Sequence, residues 1–515
     1  MLVSSQTVVV AALLTSSVLA PAAAPIEAAA FHANGISGSA TPDRTGQRVA
    51  LQRALDSVVG AGVPGAIIEV RDGRAEWRAT SGVARLSDGR RVRAGDRFRA
   101  GSVTKSFVAT VVLQLVAERR IGLDDPIEQH LPGLVPPGRH GEHVTVRQLL
   151  NHTSGLPDYL ADVLLQRPDA IRALRSARYT PRELVAMAVA KGWKFDPGTQ
   201  GAWAYSNTNY VVLGLLVERV AGHSLGQEIA RRIIRPLHLT DTSFPSSAQL
   251  PGPHMDGYEW LDGPAADPAD LTEYSPAILW SAGTLISTVH DLNSFFRELA
   301  EGKLLPAHLL REMRTMRAMG SDRPGRSYGL GLEGNVNYCH WQGPVWGHSG
   351  SVAGYNTFSF TTADGRRQVT LALSRDFTKT PEADAAARRI LTTTLCGPGH
   401  GNDPGEVRAF RGSTDFRYGP VRMPLQSACF RRPTSALRTR TRAPAVSITP
   451  APYTPRAHDD ANTLEPRRRP SGSFRDNPQV RSNSPSRASR TKARHSAGVK
   501  INAGSSGLRR LRIAM

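Results

Sequence analysis

The residues able to do chemistry gather at the start of one apolar stretch. In Phe98-Arg99-Ala100-Gly101-Ser102-Val103-Thr104-Lys105 a glycine-led turn delivers a serine and, three residues on, a lysine, directly ahead of the run SFVATVVLQLVAERR. If Ser102 opens a helix, Lys105 sits roughly 60° around the axis and about 4.5 Å along it, so hydroxyl and amine share a face. A serine hydroxyl is a poor nucleophile until a base takes its proton, and a lysine kept in a dry site is neutral enough to be that base. The first helical turn also offers a backbone N–H to whatever Ser102 attacks. The chemistry this suggests is acyl transfer through the serine. Spacing alone leaves a plainer reading open, an N-cap serine beside a solvated lysine. Ser489-Arg490-Thr491-Lys492 repeats the pattern with no apolar helix behind it.

The elements that must position the pair can be read from periodicity. Val108, Val111, Val112, Leu115 and Val116 recur at helical spacing, which predicts a helix buried along one face. Upstream, residues 45–60 read as an amphipathic helix closed by Gly60 and Gly62. Residues 65–73 and 75–86 read as two strands joined at Asp72-Gly73. Helical patterns dominate from 106 to 300. Strand alternation returns in 328–334 and 345–376, with a second hairpin turn at Asp364-Gly365, and 381–396 closes as a helix. This order predicts an α/β (α+β) fold. A central antiparallel sheet is built from both chain ends, about 42–101 and 290–398, with an all-helical domain inserted over about 102–289. A site between two such lobes is expected in their cleft.

Two further motifs carry polar groups on such elements. Trp203-Ala204-Tyr205-Ser206-Asn207 projects a phenol and an amide at the start of the apolar segment NYVVLGLLVERVAG. Trp346-Gly347-His348-Ser349-Gly350-Ser351 reads as a strand whose glycines admit close approach of a ligand backbone. Singly these are an ordinary turn and an edge strand. In this order and spacing, Ser-x-x-Lys, Tyr-Ser-Asn and His-Ser-Gly resemble the penicillin-recognising serine hydrolases, meaning the class C β-lactamases and the related D-alanyl-D-alanine carboxypeptidases. The nearest likeness is to the secreted carboxypeptidases with His-Thr-Gly as third motif. LLNHTSGLPDY (149–159) and WSAGTLIST (280–288) match as well, and the likeness runs from about residue 42 to 400.

The resemblance implies a β-lactamase/transpeptidase-like fold and a set of roles. Ser102 attacks a carbonyl, Lys105 and Tyr205 handle its proton, and Tyr205 protonates the leaving group. Asn207 orients Lys105 and the substrate amide, while Trp280, His348, Ser349, Gly350 and Ser351 line the substrate site. The N–H groups of Ser102 and Ser351 form the oxyanion hole. No metal or organic cofactor is required, and β-lactams would act as acylating inhibitors. The expected substrate is a cell-wall peptide or other small acyl compound, handled by a monomer. One departure stands out: Glu333, in Gly331-Leu332-Glu333-Gly334, occupies the place of the arginine credited in those carboxypeptidases with binding the peptide carboxylate, and would repel one. The expected activity is carboxypeptidase-like, with β-lactamase, esterase or D-amino-acid amidase as variants. A catalytically silent penicillin- or cell-wall-binding module is the non-enzymatic alternative.

Composition bounds the rest. Of 64 basic and 44 acidic residues in a chain of 515, 23 basic and only 7 acidic lie beyond residue 400, so the net charge of +20 belongs mostly to the tail. Residues 399–515 are rich in Arg, Pro, Ser, Gly and Thr, a composition that cannot bury enough surface to order itself. The tail lacks interleaved aromatics, so nucleic acid is not an expected partner. The apolar run 7–20 is too short to span a bilayer; with the alanine-rich stretch after it, residues 1–30 read as a signal peptide. The mature chain is then expected to be secreted to the cell envelope without a membrane span. Cys339, Cys396 and Cys429 fit no metal-ligand spacing. The resemblance, together with export, implies a Cys339–Cys396 disulfide, with Cys429 left over in the tail.

Overall fold

Apolar strands from the two ends of the chain pair with each other. In a computed structural model, which describes residues 44–135, 141–160, 168–339 and 343–396, β1 (Gly65–Asp72) lies between β2 (Ala75–Gly82) and β12 (Arg367–Leu373). Ala66 faces Leu373 and Asp72 faces Arg367 across the β1–β12 ladder. The sheet continues through β11 (Tyr355–Thr361), β10 (Val345–Val352), β9 (Glu333–Asn335), β8 (Arg326–Tyr328) and β7 (Arg317–Ala318), in the order β2-β1-β12-β11-β10-β9-β8-β7. All its pairings are antiparallel. Two small ribbons, β3 (Phe98–Arg99) with β6 (Ile286–Ser287) and β4 (Tyr258–Glu259) with β5 (Ala269–Asp270), stand outside it. Gly73 and Gly365, at φ +61° and +68°, turn the two hairpins expected at Asp-Gly.

Strand alternation divides the core in two. On one face, Ala66, Ile68, Val369 and Leu371 pack with Leu51, Leu55 and Val58 of α1 (Arg44–Gly60) and Ile390 and Leu391 of α7 (Pro381–Cys396). On the other, Ile67 and Ala372 join a larger cluster with Phe295 and Phe296 of α6 (Val289–Ala300) and the inserted helices. Each buried Val, Leu, Ile or Phe among them contributes about 1.5–3 kcal/mol relative to exposure.

The helix after Ser102, α2 (Thr104–Ala117), is at the centre of that second layer. The expectation of a single buried face is corrected here: every residue from Thr104 to Leu113 is buried. The reason is that α2 is enclosed, with Phe295 of α6 stacked on its Phe107 at 3.8 Å and α5 (Asn207–Ala221) packed beside it. Capping boxes at Thr145 and Thr180 start α3 (Val146–Leu150) and α4 (Pro181–Val189). Among the described residues no helix is long and apolar enough to cross a membrane.

The expected Cys339–Cys396 disulfide is not formed. Both residues are buried without a bond between them, and Cys396 Sγ lies 2.6 Å from the Tyr338 carbonyl oxygen. Residues 1–30, Cys429, the Ser489–Lys492 repeat and the whole of 399–515 lie outside the described residues.

Candidate active site

Ser102 sits in a single 3-10 turn, Gly101–Val103, that runs directly into α2. The turn is tied down by Thr104, whose hydroxyl donates to the Gly101 carbonyl at 2.7 Å and accepts from the Leu285 N–H at 3.0 Å. Strand β10 pairs with β9 only from Val345 to Gly347; further along, its backbone lies against the Ser102 turn instead. Glycine is required on both sides of that contact. A Cβ on Gly350 would lie 2.0 Å from the Ala100 oxygen and 3.3 Å from the Ser102 nitrogen, and one on Gly101, at φ +57°, would lie 3.0 Å from the Ser351 nitrogen. The approach therefore brings the Ser102 and Ser351 backbone nitrogens into one neighbourhood, the arrangement an oxyanion hole needs.

Lys105 Nζ is completely buried and donates to Ser102 Oγ at 3.0 Å, Asn207 Oδ1 at 2.8 Å and the Ala282 carbonyl at 2.6 Å. All three acceptors are neutral. Burial pulls the amine down to about 7, against the opposing charges of Asp158 and Glu333. At neutral pH Lys105 is thus poised between ammonium and amine while touching the serine hydroxyl.

The Tyr205 hydroxyl is a hydrogen-bonding neighbour of Ser102; burial pushes the phenol well above its ordinary value, and the Ser102 contact opposes the shift. Its ring is held by His152, 4.4 Å away between centroids, and lies 4.9 Å from Lys105 Nζ. His152 is itself buried and held well below its ordinary value by that burial, hence neutral. Its Nδ1 accepts from the Ser206 N–H at 3.2 Å and from Asn209 Nδ2 at 3.1 Å, which leaves the proton on Nε2. Asn207 begins α5, and Asp158 accepts from its side-chain nitrogen at 3.0 Å and its backbone N–H at 3.3 Å.

On the strand side three residues have surroundings that sequence alone does not show. Glu333 is not presented bare to the cleft: it is buried, bound to Arg326 at 3.1 Å, and accepts from the Ser349 hydroxyl at 2.7 Å. Burial alone would raise its carboxyl, yet the charge that His348 can take up, Arg326 and the Ser349 donors together hold it below the ordinary 4.5. His348 does not line the cleft but lies beside Glu333, its Nδ1 3.4 Å from Oε1. It is fully buried, Nδ1 donates to the Ser349 carbonyl at 2.6 Å, and Nε2 accepts from the Tyr328 hydroxyl at 2.8 Å. Burial lowers it to about 4, so this wall carries a neutral imidazole. Trp280 packs its ring onto α5, where a Cβ on Gly214 would meet Trp280 Cζ3 at 2.8 Å. What its segment gives the site is the Ala282 carbonyl.

Two cavities meet at Ser351. One, of about 40 Å³, reaches Ser102, Tyr205 and Asn207 and is otherwise walled by Leu160, Tyr274, Leu279 and Phe377. The other, of about 120 Å³, is polar, with Glu333, Ser349, Asp376, Lys379 and Arg388 on its walls. Ser351 donates to Asp376, which is paired with Lys379 at 2.8 Å. Asp158, His152, Tyr328 and the Asp376–Lys379 pair are the residues sequence reasoning passed over. A signal existed for two of them, since LLNHTSGLPDY contains both His152 and Asp158. Among the described residues the grouping with metal-ligand spacing is Glu69, Glu76 and His290. It lines neither cavity and is engaged by Arg78, Arg297 and Asn293.

Residues 51–394 match the family described as beta-lactamase. A D-aminopeptidase of Cereibacter sphaeroides is 28% identical over 349 residues, 67% of this chain and 63% of that protein, so the chain spans less than two thirds of its relative's length. Among solved structures, a D-stereospecific amidohydrolase from Streptomyces sp. is 38% identical, with a TM-score of 0.61 over 68% of this chain and 99% of that one. The D-amino acid amidase of Ochrobactrum anthropi is 25% identical, with a TM-score of 0.59 over 67% and 97%. The family model covers 344 of the 515 residues, the Ser102 turn and strand β10 included, and the chain belongs to the β-lactamase family of serine hydrolases.

Proposed function

We propose that this protein hydrolyses the amide bond of short D-amino-acid compounds, amides or peptides that begin with a D-residue, through an acyl-enzyme on Ser102. Lys105, as the amine, takes the Ser102 proton while Oγ attacks the carbonyl carbon. The oxyanion is received by the Ser102 and Ser351 N–H groups, and Tyr205 delivers a proton to the departing amine. Water then attacks the ester, its proton going to Tyr205 and the one held by Lys105 returning to Ser102 Oγ as the acyl group leaves as the acid.

The observation that carries the leaving-group assignment is Glu333. A carboxylate holds the position next to Ser349, it already neutralises Arg326, and His348 behind it is uncharged. That wall offers an amide or amine a better fit than it offers a carboxylate. The apolar cavity beside Ser102 suits an apolar side chain on the acyl residue. The D-configuration is taken from the likeness to the Streptomyces amidohydrolase. Arg388 on the polar cavity is the feature that favours the second reading, a carboxypeptidase acting on cell-wall peptides. Export to the cell envelope is proposed with it, on the N-terminal apolar run.

The deciding measurement is kcat/KM for D-phenylalanine amide, L-phenylalanine amide, an acyl-D-Ala-D-Ala peptide and nitrocefin, with Ser102→Ala as control. The D-amide is expected to exceed both its L-isomer and the acyl-D-Ala-D-Ala peptide by about tenfold or more, a difference of about 1.4 kcal/mol in transition-state binding. A peptide turned over faster than the amide would replace this reading with the carboxypeptidase.

A further inference from the structure

The Lys105 amine depends on an amide that could face either way. Asn207 presents Oδ1 to Lys105 Nζ at 2.8 Å, but an asparagine side chain is nearly symmetric in shape, and nothing in Asn207 itself decides whether oxygen or NH2 meets the amine. Asp158 decides it. An ionised carboxylate only accepts, and Oδ2 of Asp158 takes the Asn207 Nδ2 donor at 3.0 Å. Asp158 is in turn fixed, because its Oδ1 accepts from the Asn207 N–H at 3.3 Å and the Leu160 N–H at 3.0 Å. The neighbouring Pro157 carbonyl accepts from Ser206 and Thr208, which fastens this segment to the start of α5. Asp158 is only 8% exposed, so water competes little for these bonds.

We propose that Asp158 is a positioning residue for the acylation of Ser102: by binding the Asn207 amide nitrogen it turns the Asn207 carbonyl to Lys105 and holds that amine on the serine hydroxyl. The bond-making step is unchanged, the Ser102 proton passing to Lys105. The inference rests on acylation at Ser102 and not on the preference for D-amides. Asp158 also acts through space, its negative charge favouring the ammonium form of Lys105 against the desolvation that lowers it. The other charged or titratable groups facing the amine are Glu333 from β9, His348 from β10, His152 just after α3, and Tyr205 and Tyr210 at the start of α5.

The test compares wild type, Asp158→Asn and the exchanged pair Asp158→Asn/Asn207→Asp. The readouts are the rate of labelling by a fluorophosphonate and the acylation burst with p-nitrophenyl acetate, between about pH 5 and 9. In Asp158→Asn the side-chain oxygen stays with the two backbone donors and its NH2 is set against that of Asn207, which must flip and turn a donor on Lys105. Acylation is expected to fall by about 30-fold or more with KM changed less than about threefold, and the acidic limb of the profile to move below its wild-type position, since a negative charge near the lysine is gone. In the exchanged pair every hydrogen bond can be remade with the carboxylate now touching Lys105. Most of the rate should return above the limb, and the limb should move to higher pH. A purely structural role predicts no such opposite displacements. Asp158→Asn acylating within about threefold of wild type, limbs moving the same way, or an exchanged pair that melts like wild type yet stays as slow as the single variant would each overturn the proposal. Should the single variant fail to fold, the direction of the limb in the exchanged pair decides alone. Labelling that survives Ser102→Ala would instead remove the serine mechanism itself.

Discussion

Lys105 and Glu333 are both buried, near Ser102 and Ser349 respectively, and their charges are treated in opposite ways. Glu333 has a guanidinium at 3.1 Å and a hydroxyl donor at 2.7 Å, and stays ionised below its ordinary value. Lys105 has three neutral oxygens and no carboxylate in contact, and is drawn down to about 7. Dipoles stabilise an ammonium less than a counter-ion does, so burial wins at one site and loses at the other. The difference marks which charge can change during a reaction and which one holds the wall together. On that ground the proposed function gives Lys105 the proton transfer and Glu333 the shaping of the leaving-group side.

The largest effect should come from removing the poised charge. Lys105→Ala is expected to lower kcat/KM by about 1000-fold or more, within the span that a lost general base produces. In wild type, activity should rise as pH passes about 7, because the amine and not the ammonium accepts the Ser102 proton. In Lys105→Ala that limb should vanish. A limb that persists near pH 7 in the variant would assign the titration to another group, and the contrast between the two walls would lose its chemical meaning. Tyr205→Phe should come next, at about 100-fold on acylation. Its ring keeps the contact with His152, so the melting temperature should hardly move; a large fall in melting temperature would point to a packing role instead.

The two walls also differ in how far they could be read from sequence. Ser102 and Lys105 are three residues apart on one helix, and their contact follows from helical geometry alone. The Asp-Gly hairpins and the closing helix were legible for the same reason, since their signals are local. The surroundings of Lys105 were not. Asp158 and Asn207 are 49 residues apart in sequence, and their pairing exists only once α5 packs beside the segment after α3. The enclosure of α2 on every side needed the position of Phe295, which no periodicity within 104–117 contains. On the strand wall, residue 333 was legible as an anomaly but not as half of a pair. Arg326 is only seven residues away, but the two meet through the register of β8 and β9, in which Tyr328 faces Glu333. Trp280 differs again: the contact its segment makes with Lys105 is through the Ala282 backbone carbonyl, which side-chain types do not announce.

The smallest expected effect falls on Glu333, and the structure changes which substitution tests it. Sequence alone suggests Glu333→Arg, to restore a cation for a substrate carboxylate. With Arg326 3.1 Å from the existing carboxylate, a second guanidinium there would be driven against the first in a buried site. Glu333→Gln keeps the shape and releases Arg326 from its partner. Two consequences should appear together. Stability should fall, since removing one member of a buried ion pair costs about 3–5 kcal/mol. The loss should be fully present above the ordinary carboxylate value of 4.5 and shrink as pH falls through the lower folded value, because the wild-type carboxylate is then protonated too. Specificity should shift as well, because a freed guanidinium beside Ser349 and the polar cavity favours a leaving group that carries a carboxylate. The ratio of kcat/KM for an acyl-D-Ala-D-Ala peptide to that for a D-amino-acid amide is expected to rise by about three- to tenfold, worth about 0.7–1.4 kcal/mol, as a partly screened contact supplies. If both substrates change by the same factor while the stability falls as described, Glu333 is a structural charge and nothing more, and the leaving group is read by the residues farther along that cavity.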